Sequence, residues 1–152
     1  VKLAIRDLPQ GHTDLDLSES PKDLDLGDWI QGPGPVRLFG DVEHRGDQIT
    51  IRGTVSVRGP EICGRCTREF EQQIETEVLI YAELRGREDP ADEAALEAEG
   101  SIHYHDGIDL VLDDPVREAV ILEVPTAPLC RPDCPGLCSR CGKDLGRGPC
   151  DC

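Results

Sequence analysis

Six cysteines crowd the last twenty-three residues of this 152-residue chain: Cys130, Cys134, Cys138, Cys141, Cys150 and Cys152. The other two, Cys63 and Cys66, stand alone far upstream. A Cys-x-x-Cys loop brings two sulfurs close enough to share one tetrahedral ion, each thiolate about 2.3 Å from zinc. Cys138-Ser139-Arg140-Cys141 runs straight into Gly142, a residue that tolerates positive φ in the turn after the second sulfur. Cys150-Asp151-Cys152 adds two thiolates a short loop later and completes a set of four with Cys138 and Cys141. Cys130 and Cys134 then join Cys63 and Cys66 as a second set, with no cysteine left over. The expectation is zinc, two ions in closed structural sites of four cysteines each.

Other thiol chemistry competes with this reading. An even number of cysteines also suits a disulfide framework, and four thiolates also suit an iron–sulfur cluster. Against disulfides stand the metal-like spacings and a length sufficient to build a core without staples. The opening residues, Val1-Lys2-Leu3-Ala4-Ile5-Arg6-Asp7, also lack the long apolar run of a secretory signal. A thioredoxin-like use of Cys63-Gly64-Arg65-Cys66 calls for a βαβ pattern, which the flanking residues do not show. A reducing cytoplasm is the expected location. No apolar run approaches the eighteen or so residues of a membrane span, so no membrane association is expected.

Charge narrows the partners. The formal net charge is −15, and residues 82–118 alone hold twelve acids (Glu83, Glu88, Asp89, Asp92, Glu93, Glu97, Glu99, Asp106, Asp109, Asp113, Asp114 and Glu118) against Arg85, Arg87 and Arg117. Nucleic-acid affinity rests on Lys and Arg displacing phosphate counterions, so broad non-specific RNA binding is disfavoured. A basic protein partner, or simple solubility, fits the balance better. Basic residues do gather around the cysteines: Arg65 and Arg68 at the upstream pair, and Arg131, Arg140, Lys143 and Arg147 in the tail. These six are the candidate contacts to RNA or a partner.

The elements that position these residues follow from periodicity. Leu3 and Ile5 suggest a short opening strand, and Asp14-Leu15-Asp16-Leu17 and Asp23-Leu24-Asp25-Leu26 each alternate like an edge strand with leucines inward. Gln31-Gly32-Pro33-Gly34-Pro35, just past the single tryptophan Trp29, is a break. Residues 36–81 carry the strongest β pattern. Val36, Leu38, Gly40 and Val42 alternate with Arg37, Phe39, Asp41 and Glu43, then Ile49, Ile51, Gly53, Val55 and Val57 follow, and Phe70, Ile74, Val78 and Ile80 come after a break at Gly59-Pro60. These read as an antiparallel meander with Cys63–Cys66 in the loop between its last two strands. Residues 84–100 read as a short acidic helix or a loop ended by Gly100. His103 and His105 beside Tyr104 read as an exposed strand face, because the thiolates already account for metal. Asp113-Asp114-Pro115 predicts a helix start with Asp as N-cap and Pro at the first helical position, ending before Pro125. The fold class expected is α+β: mainly an antiparallel β meander or barrel-like sheet with one or two short helices and a C-terminal zinc-knuckle tail. Residues 1–125 would form the β-rich domain, and 126–152 a cysteine-rich tail packed against the Cys63–Cys66 loop.

Several of these pieces recur together in one family. Cys63-x-Arg65-Cys66-x-x-x-Phe70 is followed by Ile108-Asp109-Leu110, by Val116-Arg117-Glu118 and by Leu122-Glu123-Val124-Pro125. Leu129-Cys130-x-x-x-Cys134-x-Gly136-Leu137-Cys138-x-x-Cys141-Gly142 then leads to Cys150-Asp151-Cys152. In order and spacing, across roughly residues 30–152, these motifs resemble the YceD family of large ribosomal RNA subunit accumulation proteins. The resemblance implies a cytoplasmic, non-enzymatic factor that supports accumulation of 23S ribosomal RNA and assembly of the large ribosomal subunit. Its partners would be the large-subunit precursor, through ribosomal RNA, a basic ribosomal protein or both.

The residues themselves support no catalytic reading. Ser18, Ser20, Ser56, Ser101 and Ser139 lie in no nucleophile elbow, and phosphate-cradling and dinucleotide fingerprints are absent, so no enzyme activity and no small-molecule substrate are expected. A catalytic zinc keeps an open position, which a closed set of four thiolates does not. Two further readings stand beside the assembly factor: a zinc-stabilised protein-interaction module outside the ribosome, for example in transcription, and a thiol redox protein using Cys63 and Cys66.

Overall fold

Strands of alternating character set the frame. The computed structural model describes residues 1–26, 34–86, 90–100 and 102–152. In chain order the elements are β1 (Lys2–Ala4), β2 (Gly11–Glu19), β3 (Val36–Arg45), β4 (Gln48–Ile62), β5 (Glu69–Leu84), α1 (Pro90–Ala98), β6 (His103–His105), β7 (Asp109–Val111) and α2 (Asp113–Glu123), with 3-10 turns at Ile5–Asp7 and Leu145–Arg147. Strands β2-β3-β4-β5-β6 form one five-stranded sheet, antiparallel except where β6 joins β5 in parallel, and β1 pairs with β7 in a second, two-stranded sheet. The class is therefore α+β, with mostly antiparallel sheets and two α-helices among the described residues. Among the described residues the larger sheet ends at β2 on one side and β6 on the other and does not close into a barrel.

The alternation of 36–81 becomes the register of the sheet. Leu38 pairs with Val55 and Val42 with Ile51, and all four are at most 1% exposed. Between β3 and β4 the two-residue turn Gly46-Asp47 has Gly46 at φ +62°, a primed-turn geometry that follows strand twist. Helix α2 lies against β5 and β4 and inserts Val116 and Val120, both 0% exposed. Burying each such side chain stabilises the fold by roughly 1.5–3 kcal/mol.

Three local expectations change. Asp14–Leu17 does lie in an edge strand, β2, but Asp23–Leu26 is a turn. The Leu26 amide donates to the Pro21 carbonyl at 2.8 Å, Asp25 has φ +53°, and Leu24 and Leu26 are buried from the turn. Pro60 does not break β4, which continues to Ile62. Past Ser56, among the described residues, that strand has β5 as its only ladder partner, so a residue without an N–H sits there without costing a ladder bond. The α2 N-cap is Leu112 with no side-chain cap, so Asp113 and Asp114 occupy the first turn, where the helix dipole favours acids and Pro115 needs no amide partner. The helix does stop before Pro125: Val124 is extended at φ −60°, ψ 117°, the conformation a following proline demands.

The histidine pair is also different from an exposed face. His105 is 4% exposed; its Nδ1 accepts from the Gly107 amide at 3.1 Å, which leaves Nε2–H to donate to the Asp47 carbonyl at 3.1 Å. It fastens the β6 end to the β3–β4 turn. The acidic stretch 84–100 contains helix α1, ended by Gly100 at φ +68°. Trp29, the Gln31–Pro33 part of the expected break, Arg87, Glu88, Asp89 and Ser101 lie outside the described residues. Among the described residues, no helix is long and apolar enough to cross a membrane.

Candidate metal centres

Two short segments adopt the same backbone trick. In the β4–β5 loop the Cys63 amide donates to the Arg68 carbonyl at 2.9 Å and the Thr67 amide to the Cys63 carbonyl at 2.9 Å. In the tail the Cys138 amide donates to the Lys143 carbonyl at 2.8 Å and the Gly142 amide to the Cys138 carbonyl at 2.9 Å. The residue after each second cysteine is left-handed: Thr67 at φ +58° and Gly142 at φ +73°. The Gly142 turn was legible from its residue type. Thr67 carried no such signal, because a β-branched residue rarely takes this conformation. Its hydroxyl donates to the Cys66 carbonyl at 2.7 Å. Each loop thereby aims two sulfurs to the same side.

The tail returns from α2 to the first loop. The Gly64 amide donates to the Pro128 carbonyl at 2.8 Å, and the Leu137 amide to the Arg65 carbonyl at 3.1 Å. Gly136, at φ +77°, allows this approach: a Cβ there would lie 3.1 Å from the Arg65 carbonyl oxygen. The result is two groups of sulfurs, Cys63 with Cys66, Cys130 and Cys134, and Cys138 with Cys141, Cys150 and Cys152, each group within 4.8 Å throughout. A tetrahedron of sulfurs about 2.3 Å from a central ion has edges of about 3.8 Å. Cys63–Cys134 and Cys66–Cys130 are each 3.7 Å apart, and in the tail group Cys138–Cys152 is 3.5 Å, Cys150–Cys152 3.4 Å and Cys138–Cys150 3.2 Å. A disulfide would need about 2.0 Å; all eight cysteines are free. Two four-cysteine groups can thus hold metal ions, and their donor set suits zinc.

The two groups differ in setting. Cys63, Cys66 and Cys134 are buried, with Phe70, Leu129 and Cys130 packed around them, whereas Cys141 and Cys152 are exposed. Backbone amides, that of Cys130 first and then those of Arg65 and Cys66, bring Cys63 down to about 6. Burial, followed by the sulfurs of Cys63, Cys66 and Cys134, pushes Cys130 up to about 12. In the tail, the amides of Arg140 and Cys141 bring Cys138 down to about 6, while the sulfurs of Cys150, Cys138 and Cys141 push Cys152 up to about 11. Each group thus favours one thiolate and resists the next. A divalent cation removes that conflict, and its binding expels the remaining protons.

The basic residues near the cysteines are largely engaged by the protein itself. Arg65 donates to the Cys134 carbonyl at 3.0 Å, Arg140 to the Cys152 carbonyl at 3.0 Å, and Lys143 to the Pro149 carbonyl at 2.7 Å. Asp144, which the residue types did not single out, anchors the rest. Arg68 donates to it at 2.8 Å, Arg147 lies 3.6 Å away, and the Gly146 amide donates to Asp144 Oδ1 at 2.8 Å in an Asx turn. Arg68, followed by that amide, holds the Asp144 carboxyl below its ordinary range. Arg131, 3.4 Å from Asp133, comes to the same spot: a Cβ on Gly146 would lie 3.4 Å from Arg131 Nη2 and 3.6 Å from Arg68 Nη2. Three guanidinium groups therefore gather around the Asp144–Gly146 turn, Arg68 and Arg147 paired with Asp144 and Arg131 with Asp133.

Comparison with known proteins adds a family. The family model described as "Large ribosomal RNA subunit accumulation protein YceD" matches residues 50–152, a stretch that contains all eight cysteines. Uncharacterised proteins of Mycobacterium tuberculosis and Mycobacterium bovis are each 34% identical over 111 residues, covering 71% of this chain and 50% of the relative. An uncharacterised protein of Mycobacterium leprae is 30% identical over 116 residues, covering 76% of this chain and 52% of the relative. The chain spans about half the length of the curated relatives it matches. No solved structure matches it.

Proposed function

The chain belongs to the YceD family of large ribosomal RNA subunit accumulation proteins, and from that premise we propose that it is a non-enzymatic factor supporting 23S ribosomal RNA accumulation and assembly of the large ribosomal subunit. The observation that carries this reading is that the family match embraces the whole cysteine framework, from the β4–β5 loop to the tail. On this reading the protein works in the cytoplasm, and two structural zinc ions staple the tail, residues 126–152, to a β-rich domain of residues 1–125. The first ion is held by Cys63, Cys66, Cys130 and Cys134, and the second by Cys138, Cys141, Cys150 and Cys152. The metal shapes the end of the molecule that carries Arg65, Arg68, Arg131, Arg140, Lys143 and Arg147. Arg68 and Arg147, paired with Asp144, and Arg131, paired with Asp133 and reaching the same turn, supply the local positive charge for ribosomal RNA phosphate. The contact is local and modest, because each tetrathiolate–zinc centre carries about −2 and the whole chain −15. The acidic 82–118 segment then faces a basic ribosomal protein.

The test is sedimentation of the tagged protein from gently lysed cells through a low-salt sucrose gradient. Co-migration with large-subunit precursors is expected, and its loss on charge reversal of Arg68, Arg131 and Arg147 locates the contact. Migration only at the top of the gradient overturns an assembly role by contact. The high negative charge favours one second reading, a zinc-stabilised protein-interaction module outside the ribosome. A pull-down that recovers polymerase subunits and no ribosomal proteins would favour that module.

A further inference from the structure

The longest strand of the fold is only partly enclosed. Along one edge of β5, Glu69 to Glu83 pair with β4 in unbroken register; along the other, β6 pairs only with Ala82, Glu83 and Leu84. Among the described residues, the second edge of residues 69–81 has no ladder partner. Proteins blunt such an edge with Pro, Lys, a bulge or a covering element, because it is a template for another strand. The overhanging end of β4 is blunted in this way by Gly59 and Pro60. The thirteen residues from Glu69 to Tyr81 contain no Pro, Gly or Lys, and their register with β4 has no bulge.

What distinguishes this edge is charge with a period of two. The odd positions of β5 face solvent and carry Glu69, Glu71, Gln73, Glu75 and Glu77, then Leu79 and Tyr81, 53% and 47% exposed. Gln73, which accepts from Arg58, is the one neutral residue among the glutamates. Alongside, a groove of about 480 Å³ runs between the strand and the end of α2, lined by Gln72, Gln73, Ile74, Glu75 and Glu123. Leu122, next to Glu123, is 85% exposed.

We propose that the open edge of β5 is a docking site for an extended basic segment of another protein, which joins the sheet as an added strand along residues 69–81. Backbone hydrogen bonds supply the affinity, and the side-chain alternation supplies the selection. Lys or Arg at every second position meets Glu71, Glu75 and Glu77, while the intervening apolar residues turn towards the groove beside Ile74 and the end of α2. A second copy of this chain is a poor occupant, because glutamates would face glutamates between two molecules of charge −15. Phe70 at one end of this stretch packs on the buried cysteine group, but Glu71, Glu75 and Glu77 are neither metal-ligand candidates nor among the six basic residues and lie outside the 82–118 segment, so the docking stands or falls independently of RNA contact.

The test uses three ten-residue peptides and the zinc-loaded chain. The first alternates Lys with Val, the second alternates Glu with Val, and the third is the Lys peptide with Pro at two central positions. The Lys peptide is expected to bind, the Glu peptide not to bind, and the Pro peptide to bind at least about tenfold more weakly, since it lacks strand donors. Hydrogen exchange followed by NMR gives the mode. Between residues 69 and 81 the amides turned towards β4 are protected from the start, and the alternate amides become protected only with the Lys peptide. The triple variant Glu71→Lys, Glu75→Lys, Glu77→Lys is expected to weaken that peptide by about tenfold or more while leaving zinc content and β4-directed protection unchanged. Failure of the Lys peptide to bind overturns the proposal. So does equal binding of the Pro peptide, protection elsewhere on the molecule, or open-edge amides already slow in the free chain.

Discussion

Replacing Cys63 with Ser is expected to discharge one metal ion and undock the first part of the tail, leaving the sheet and the tail's own metal group in place. The magnitude follows from what holds residues 128–137. Ordering those ten residues costs on the order of 10–15 kcal/mol at about 1–1.5 kcal/mol each. Their apolar support is thin: Leu129 and Phe70, both partly buried, together with the cysteines themselves. That support contributes roughly 1–3 kcal/mol, whereas a structural zinc on four thiolates contributes about 10–16 kcal/mol. The ion therefore decides the docking. The main core runs from Val1 to Val120, with Val124 packed against it, and holds no tail residue, so it persists without the metal. The assay is zinc content of anaerobically purified protein together with amide hydrogen exchange. In Cys63→Ser the amides of Gly64 and Leu137, which bond to Pro128 and Arg65 across the junction, should lose protection. Those of Cys138 and Gly142, closed within the tail loop, should keep it. Cys130→Ser should discharge the same ion and Cys138→Ser the other. Protected Gly64 and Leu137 amides in protein lacking that ion would refute the reasoning, as would Cys63→Ser and Cys130→Ser releasing different ions.

Three further outcomes follow from the geometry. A chelator should strip the zinc-loaded protein in two phases, the faster from the group containing exposed Cys141 and Cys152 and the slower from buried Cys63, Cys66 and Cys134, with Cys138→Ser abolishing only the fast phase. Gly142→Ala, at φ +73° in open space, should cost about 1–2 kcal/mol from its backbone alone. Gly136→Ala should cost more, because its Cβ would also press on the Arg65 carbonyl at 3.1 Å; thermal unfolding of the zinc-loaded variants compares them. Asp144 should titrate below the ordinary carboxylate range by NMR and move back towards it in Arg68→Ala. Because its folded value is depressed, the stability it contributes is complete above the unfolded carboxylate pKa and is lost as pH falls through the folded value. An Asp144 that titrates normally with Arg68 in place would contradict the ion pair.

Much of the sheet could be read from the chain because strand alternation is local. Leu38, Val42, Ile51 and Val55 announce a buried face wherever their partner strands lie, and Pro125 ends α2 by its own covalent geometry. The Gly142 turn was legible for the same reason. Other features were hidden because they depend on neighbours. Pro60 is acceptable in β4 only because β3 has already ended, and Asp23–Leu26 forms a turn although its pattern matches that of Asp14–Leu17 in β2. His105 became buried when β6 joined β5 in parallel, a pairing that no nearby residue encodes. The strained Thr67 turn and the gathering of Arg68, Arg131 and Arg147 around the Asp144–Gly146 turn likewise belong to the assembled loops.

By itself the chain therefore determined its local units: strands from a period of two, a helix between Asp113 and Pro125, and sulfur-bearing loops from the Cys-x-x-Cys spacing. These are set by backbone sterics and side-chain pattern over a few residues. Only the tertiary structure decided which sulfurs face one another at 3.7 Å, which cluster is buried, which arginines are engaged by carbonyls, and which edge of β5 lacks a partner among the described residues. Those outcomes turn on contacts between residues as distant as Cys63 and Cys134. Such contacts depend on how the loops close and what the core excludes, and no short stretch of sequence contains that information.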